Sequence, residues 1–166
     1  MLPFDKYPHA GRELLGLRSG DTCRRGYGLH LQRLTGLASC AYCGVSLIGT
    51  FEQWLMMAVD HVVPRRAGEG AGIPVEWLED YSNLVLCCIP CNSFLNRWGF
   101  DPQTLDERVD SLDAFCALRD RVFQERKAKI LARREQEREY YEQRQWEAAP
   151  SSPEAERRLT NAQDQS

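Results

Sequence analysis

Four cysteines with a repeated spacing are the strongest chemical signal in this sequence. They form two Cys-x-x-Cys pairs, Cys40 with Cys43 and Cys88 with Cys91, and 44 residues separate the pairs. A Cys-x-x-Cys turn presents two sulfurs to one ion, and Zn²⁺ readily binds four thiolates in a tetrahedron. We therefore expect a structural zinc that joins two distant segments. The alternative is that these cysteines are ordinary buried core residues.

The chain has seven cysteines in all. Cys87 directly precedes Cys88, but only Cys88 and Cys91 have the two-residue spacing, so we expect Cys87 to be a core thiol. Cys23 and Cys116 have no partner at ligand spacing and are given the same structural interpretation.

Polar residues between the two cysteine pairs have side chains suited to hydrolysis. Asp60 is a hard oxygen ligand for Mg²⁺ or Mn²⁺, and the adjacent His61 carries an imidazole, a side chain suited to act as a general base. Asn83 could be a second ligand or a partner that orients the imidazole, and Asn92 could face the same cleft. An imidazole base and a bound cation are what phosphodiester hydrolysis requires.

Each of these residues also has an ordinary structural interpretation. Successive strand residues point to opposite faces, so Asp60 and His61 share a cleft only if the strand kinks or ends near residues 62–64. Asp60 could simply pair with a nearby arginine, and Asn83 could hold a turn. The catalytic interpretation depends on the residues occurring together.

The elements that must position these residues are short. Leucine spacing predicts a helix over 24–36, and Gly44 allows the first cysteine pair to close a tight turn. The remaining predictions are, in chain order, a strand-like segment over 45–48, a strand over 54–64 that delivers Asp60 and His61, a long loop over 65–80, a strand over 83–88 and a helix over 92–98.

A long helix dominates the second half of the sequence. A capping box at Thr104 and Glu107 starts it, and it is predicted to run to about Trp146. Its apolar stripe consists of Leu105, Val109, Leu112, Cys116, Phe123 and Ile130. Strands and helices together indicate an α+β fold. We expect four segments along the chain: a partly ordered arm over 1–22, a core domain over 23–101, the long helix over 102–147 and a disordered tail over 148–166.

Composition limits the partners and the compartment. The net charge of −3 excludes a globally basic nucleic-acid-binding protein, although the first 34 residues carry a small basic excess that could either contact phosphates or simply be solvated. No run reaches the ~18 apolar residues of a membrane span, and the N-terminus does not look like a signal peptide. The chain has an odd total of cysteines, and four of them form two Cys-x-x-Cys pairs; both features favour metal binding over disulfides. We therefore expect a reducing, cytoplasmic compartment.

The order of these motifs resembles the HNH endonuclease family, in particular the members with a four-cysteine zinc. The matching features are Cys40-x-x-Cys43, Asp60-His61 followed by Pro64, Asn83-Leu84, and Cys88-x-x-Cys91-Asn92, and they cover roughly residues 37–98. The resemblance implies a ββα-metal core over 23–101, in which a β-hairpin, a connecting loop and a helix form one active site.

The resemblance also implies roles for individual residues. His61 would be the general base, and Asp60 would bind the catalytic Mg²⁺ or Mn²⁺ together with Asn83 and Asn92. Asn83 would alternatively position the base, and Asn92 would occupy the third motif position. Many members have a lysine shortly after the last cysteine, and this chain has none there. DNA phosphates would instead be contacted by arginines, for which the candidates are Arg24, Arg25, Arg65, Arg66 and Arg97.

Two other functions remain open at this stage. A zinc-stabilised module could bind nucleic acid without cleaving it. An interaction protein could use the long helix for self-association or for a partner, with Tyr140, Tyr141 and Trp146 as anchors, although a charged helix face is usually only solvated.

Overall fold

The computed structural model describes residues 24–95 and 109–144. The predicted arm, Cys23, Arg97, the capping box at Thr104, Trp146 and the tail lie outside these ranges, as do the side chains of Arg24 and Arg25. The described elements are α1 (Arg24–Thr35), α2 (Phe51–Leu55), β1 (Met57–His61), α3 (Arg65–Gly70), α4 (Val75–Leu78), a 3₁₀ turn (Tyr81–Asn83), β2 (Leu84–Cys88), α5 (Ile89–Phe94) and α6 (Leu112–Gln143).

A small antiparallel sheet lies at the centre of the fold. β1 pairs with β2 in a register that runs from Met57 opposite Cys88 to His61 opposite Leu84. All five residues of β2 are buried. The mixture of a two-stranded sheet, short helices and one long helix is consistent with the predicted α+β class.

The helix α1 packs against the sheet through a close approach at Gly28. A Cβ atom built there would lie 2.4 Å from Sδ of Met57 and 3.2 Å from Cδ2 of Leu86. Leu31, one turn further along, is 1% exposed. The missing side chain therefore lets the helix backbone lie close to both strands.

The segment between the cysteine pairs is more helical than predicted. The predicted strand over 54–64 is wrong in its first part, because Thr50 and Gln53 form a reciprocal capping box that starts α2. The predicted loop over 65–80 contains α3 and α4, each of which begins directly after a proline, Pro64 or Pro74. The strand-like segment over 45–48 is reduced to one bridge between Ser46 and Ser39, and the helix predicted over 92–98 begins earlier, at Ile89.

The long helix α6 packs against the core with a face that differs from the predicted stripe. Phe123 and Ile130 are buried as predicted, whereas Leu112 and Cys116 are only partly buried. The buried face also includes Phe115, Leu118, Val122, Arg119 and Arg126. The chain divides between Arg134 and Glu135 into two compact units. Among the described residues, no helix is long and apolar enough to cross a membrane.

Candidate metal centre and hydrolytic cleft

The first cysteine pair forms a tight turn that is joined to the sheet. The amide of Gly44 donates to the carbonyl of Cys40 (2.8 Å), and the amide of Cys43 approaches Sγ of Cys40 at 3.5 Å. Gly44 has a φ of +76°, a conformation that favours glycine. The amide of Ala41 donates to the carbonyl of Leu86 in β2 (2.9 Å), so the turn lies beside the strand that leads to the second pair.

The second cysteine pair lies where β2 passes into α5. Cys88 is the last residue of β2 and precedes the first residue of α5, and Cys91 lies within that helix. Pro90 occupies the first turn of α5, where a missing N–H costs no intrahelical hydrogen bond. The amide of Ile89 donates to the carbonyl of Met56 (2.8 Å), which fixes the strand-to-helix transition.

These four cysteines converge on one point. Their Sγ atoms all lie within 4.8 Å of one another, and those of Cys43 and Cys88 are 3.8 Å apart. Zn–S bonds of about 2.3 Å place tetrahedral sulfurs about 3.8 Å apart. The cluster is therefore close enough to bind a metal ion such as zinc, as the spacing predicted.

The thiols in the cluster influence one another's ionisation. Hydrogen bonds from Cys88 and Cys91 lower the pKa of Cys40, whereas the hydrogen bond to Cys40 raises the pKa of Cys88 to about 11 and raises that of Cys91 as well. Without an ion the cluster thus holds one negative charge more easily than several, and a cation is what allows all the sulfurs to be thiolates.

Two further cysteines in the described part of the chain lie outside the cluster. Cys87 is fully buried, and burial raises the pKa of its thiol, so it remains a protonated core residue. Cys116 is partly buried on α6.

A cleft at the end of β1 brings together two of the four predicted catalytic residues. Asp60 and His61 both line it, together with Pro64, Arg65, Leu95 and Arg126. Its volume is about 140 Å³, which is room for several water molecules. β1 ends at His61, so the alternation of strand residues no longer forces the two side chains to opposite faces.

Asp60 is held from one side by two donors. Its Oδ2 accepts hydrogen bonds from the hydroxyl of Tyr42 (2.7 Å) and from a terminal guanidinium nitrogen of Arg126 (2.7 Å). Burial raises the pKa of Asp60, and Arg126 and Tyr42 act against that rise. Burial also raises the pKa of Tyr42, so its hydroxyl stays a donor. Both contacts are made by Oδ2, so these two donors leave Oδ1 of Asp60 unoccupied.

The imidazole of His61 faces an acid that sequence reasoning did not select. Nε2 lies 3.6 Å from Oε2 of Glu79, whose side chain is only 12% exposed. The other carboxylate oxygen of Glu79 accepts a hydrogen bond from Arg65 (3.2 Å). Since a small movement of either side chain would bring Nε2 within hydrogen-bond distance, Glu79 is placed to orient the ring.

Asn83 stabilises the backbone after β1. Its side chain is fully buried, Oδ1 accepts from the amide of Val63 (2.9 Å), and Nδ2 donates to the carbonyls of Val63 (3.0 Å) and Leu78 (2.8 Å). Of the two roles considered for Asn83, this geometry supports a positioning role, because Oδ1 is bonded inside the protein rather than directed to the cleft.

The other described candidates differ in whether they line the cleft. Asn92 is partly buried on α5 beside Cys91 and is not among the residues that line the cleft. Arg65 lines it and is paired with Glu69 and Glu79, while Arg66 is exposed.

Three residues of the site were missed by sequence reasoning. Nothing in the sequence spacing connects Glu79 with His61 or Tyr42 with Asp60. Arg126 did leave a signal, since it lies three residues after Phe123 and four before Ile130 and so falls on the apolar stripe of α6. A charged residue at such a position is buried and must be paired.

Comparison with known proteins found no relative of this chain. No family model matches the chain, and no curated protein or solved structure matches it either. Any function must therefore be argued from the geometry of the site.

Proposed function

We propose that this protein is a metal-dependent endonuclease of the HNH type that hydrolyses DNA phosphodiester bonds and carries a structural zinc. The observation that carries the proposal is the shared cleft of Asp60 and His61, which neighbouring strand residues would ordinarily direct apart. The motif order and the convergence of the four cysteines support the same function.

In this proposal the zinc is structural. Four cysteine ligands leave no open coordination position, and an open position is what distinguishes a catalytic zinc site. Bound zinc would join the turn at residues 40–44 to the junction of β2 and α5, and thereby stabilise the sheet that carries Asp60 and His61. The thiols must stay reduced for this role, which fits a protein of the reducing cytoplasm.

His61 is the general base in this proposal. Its side chain is 35% exposed at the cleft, and Nε2 faces Glu79. A proton on Nε2 directed at the carboxylate of Glu79 would leave the lone pair of Nδ1 to accept a proton from water. Glu79 would thus select the tautomer, as an acid behind a catalytic imidazole does.

A divalent ion would be bound through Oδ1 of Asp60. Mg²⁺ or Mn²⁺ is commonly held by one or two carboxylates with water and substrate phosphate as the other ligands, so a single protein ligand is sufficient in the presence of DNA. When bound, the ion would stabilise the charge that develops on the phosphate and the leaving oxygen. Arg66 is exposed and directly follows Arg65, which lines the cleft, so it is a candidate for additional contacts with the DNA backbone.

Plasmid cleavage tests the proposal. Zinc-loaded protein is incubated with supercoiled plasmid in EDTA, Mg²⁺ or Mn²⁺, and nicked and linear products are quantified. We expect cleavage only with a divalent ion, and a loss of at least about 10²-fold in His61→Ala, because a general base contributes about 10²–10⁴-fold.

Glu76→Ala is the control for purity and handling, since Glu76 is exposed on α4. Zinc content must be equal in the three proteins. Cleavage that persists in His61→Ala at the wild-type rate would remove His61 from the mechanism, and wild-type protein without cleavage in either metal would refute the proposed activity.

One observation favours a second candidate, a zinc-stabilised DNA-binding module without turnover. The amide oxygen of Asn83 accepts a hydrogen bond from the amide of Val63 inside the protein, and Oδ2 of Asp60 is paired with Arg126. The described cleft therefore offers few oxygen ligands for a cation. This candidate predicts retardation of DNA in a mobility-shift assay, with no cleavage under Mg²⁺ or Mn²⁺. Binding should weaken steeply with added salt, since it would depend on phosphate contacts.

A further inference from the structure

An arginine lies on the buried face of the long helix α6, where the sequence otherwise places apolar residues. The side chain of Arg126 is only 2% exposed and lies one turn from Val122 and Ile130, both buried. A buried guanidinium is costly unless its donors are satisfied and its charge is paired. The contacts of the Arg126 guanidinium therefore indicate what its burial contributes to the structure.

The guanidinium of Arg126 reaches the end of β1. One terminal nitrogen donates to the backbone carbonyls of His61 and Val62 (2.8 Å for Val62), and the other donates to Oδ2 of Asp60 (2.7 Å). The aromatic ring of Tyr42, which also donates to Oδ2, lies 5.8 Å below the guanidinium carbon. One side chain of α6 thus contacts three consecutive residues at the place where strand pairing stops.

These contacts determine the orientation of both catalytic candidates. Beyond His61 the chain leaves the β1–β2 ladder, and the amides of Val62 and Val63 bond to Asn83 instead. The carbonyls of residues 61 and 62 point towards α6 and accept from Arg126. Asn83 and Arg126 therefore hold the backbone that carries the imidazole from two sides, and Arg126 also holds Oδ2 of Asp60.

We propose that Arg126 is a positioning residue of the cleft, so that α6 completes the catalytic site by orienting Asp60 and His61 without touching the substrate. The inference rests on the proposed function and names a residue of the same site. The planar guanidinium can bridge three acceptors at once, and the single nitrogen of a lysine cannot reproduce that geometry. A positive charge alone is then insufficient to orient Asp60 and His61, and we expect Arg126→Lys to lose that orientation.

Arg119 provides a matched control on the same helix. It is also buried, at 3% exposure, two turns before Arg126, but it pairs with Asp120 and does not line the cleft. Arg119→Lys and Arg126→Lys are compared for zinc content, thermal unfolding, kcat and KM of plasmid cleavage. Both are also compared with wild type by the ring ¹⁵N and ¹³C signals of labelled histidine, in which the signal of His61 is assigned with His61→Gln among the three histidines of the chain.

We expect Arg126→Lys to bind zinc and to lower kcat by about 10²-fold with KM changed less than threefold, because a displaced catalytic group can cost about that factor. Its His61 signals should shift, while Arg119→Lys retains wild-type kcat and wild-type His61 signals. Equal kcat and equal His61 signals in the two folded variants would overturn the inference.

The histidine signals keep the test independent of the nuclease activity. If wild type does not cleave DNA, a His61 shift confined to Arg126→Lys still supports the positioning role, and the absence of any shift overturns it. If Arg126→Lys does not fold, Arg126→Gln takes its place against Arg119→Gln. Should neither Arg126 variant fold while both Arg119 variants do, Arg126 is a folding residue and the inference is overturned.

Discussion

Asn83 shows how much structure a single amide can determine in this site. All three hydrogen bonds of its buried side chain go to the backbone of Val63 and Leu78. Asn83→Ala removes them and leaves a buried amide and two carbonyls unsatisfied, at about 1–3 kcal/mol for each group that water cannot reach. We expect Asn83→Ala to lower the free energy of unfolding by about 3 kcal/mol, measured by urea denaturation of the zinc-loaded protein.

Asn92→Ala is the corresponding control, because Asn92 is only partly buried on α5. Its free energy of unfolding should stay within about 0.5 kcal/mol of wild type. Equal losses in the two variants would contradict the positioning role of Asn83.

Glu79 gives a second prediction at the scale of one residue. Glu79→Gln keeps the size of the side chain but removes the negative charge that faces Nε2 of His61 at 3.6 Å. If Glu79 selects the productive tautomer, kcat for plasmid cleavage should fall on the order of 10-fold, a part of what the general base contributes. Glu76→Gln on the exposed face of α4 should leave kcat unchanged, and equal kcat in both variants would show that Glu79 does not orient the base.

Residue spacing in the sequence identified the groups that act locally and missed those that act across the fold. The cysteines were predicted because a zinc ligand pair must be close in sequence, and the cluster has the predicted members. Asp60 and His61 are neighbours, so their convergence required only a strand end. Tyr42, Glu79 and Arg126 reach the site from separate elements, and their contacts depend on packing that sequence periodicity does not specify.

At the scale of elements, two glycines in α3 lie in opposite environments. A Cβ atom at Gly68 would lie 2.4 Å from Cδ2 and 2.9 Å from Cδ1 of Leu78, whereas one at Gly70 would meet nothing within 4 Å. Gly68→Ala should destabilise the protein by about 1–3 kcal/mol through overpacking against α4. Gly70→Ala should be neutral or stabilising by up to about 1 kcal/mol, because alanine reduces the entropy of the unfolded chain. Thermal unfolding of the two variants checks this, and similar unfolding temperatures would contradict the packing of α3 on α4.

The elements were predicted best where the sequence pattern is long or locally determined. The helix α1 was predicted close to its observed position, and both long helices extend over several turns of apolar spacing. The predicted start of the long helix at Thr104 is wrong, because residues 109–111 are not helical and α6 begins at Leu112. The short helices α2, α3 and α4 were missed, because four to six residues provide too little periodicity. Thr50 and Gln53 did signal the start of α2, and the two prolines signalled the starts of α3 and α4.

For the whole molecule, zinc binding should depend on pH in a direction set by the thiols. The pKa of Cys88 is raised to about 11 and that of Cys91 is raised as well, so at neutral pH both thiols keep their protons until a metal displaces them. The apparent zinc affinity should therefore rise with pH, by about tenfold per pH unit for each proton displaced. Competition with a chromophoric chelator between pH 6 and pH 8 measures this, and a pH-independent affinity would contradict a thiol site.

Loss of one ligand tests whether the cluster stabilises the fold. Cys43→Ser should abolish stoichiometric zinc and lower the free energy of unfolding by more than about 4 kcal/mol, as expected when a structural metal is lost. Cys116→Ser is the control, because Cys116 lies on α6 outside the cluster. Full zinc content in Cys43→Ser would show that the four sulfurs do not share an ion.

The most direct measurement of the central claim is the rate at which zinc-loaded protein converts supercoiled plasmid to nicked or linear DNA with Mn²⁺, with His61→Ala at the same zinc content beside it. A cleft in which His61 and Asp60 hydrolyse phosphodiesters predicts conversion by the wild-type protein, a rate at least about 10²-fold lower in His61→Ala, and none in EDTA. Equal rates for the two proteins, or no conversion by either, would contradict it.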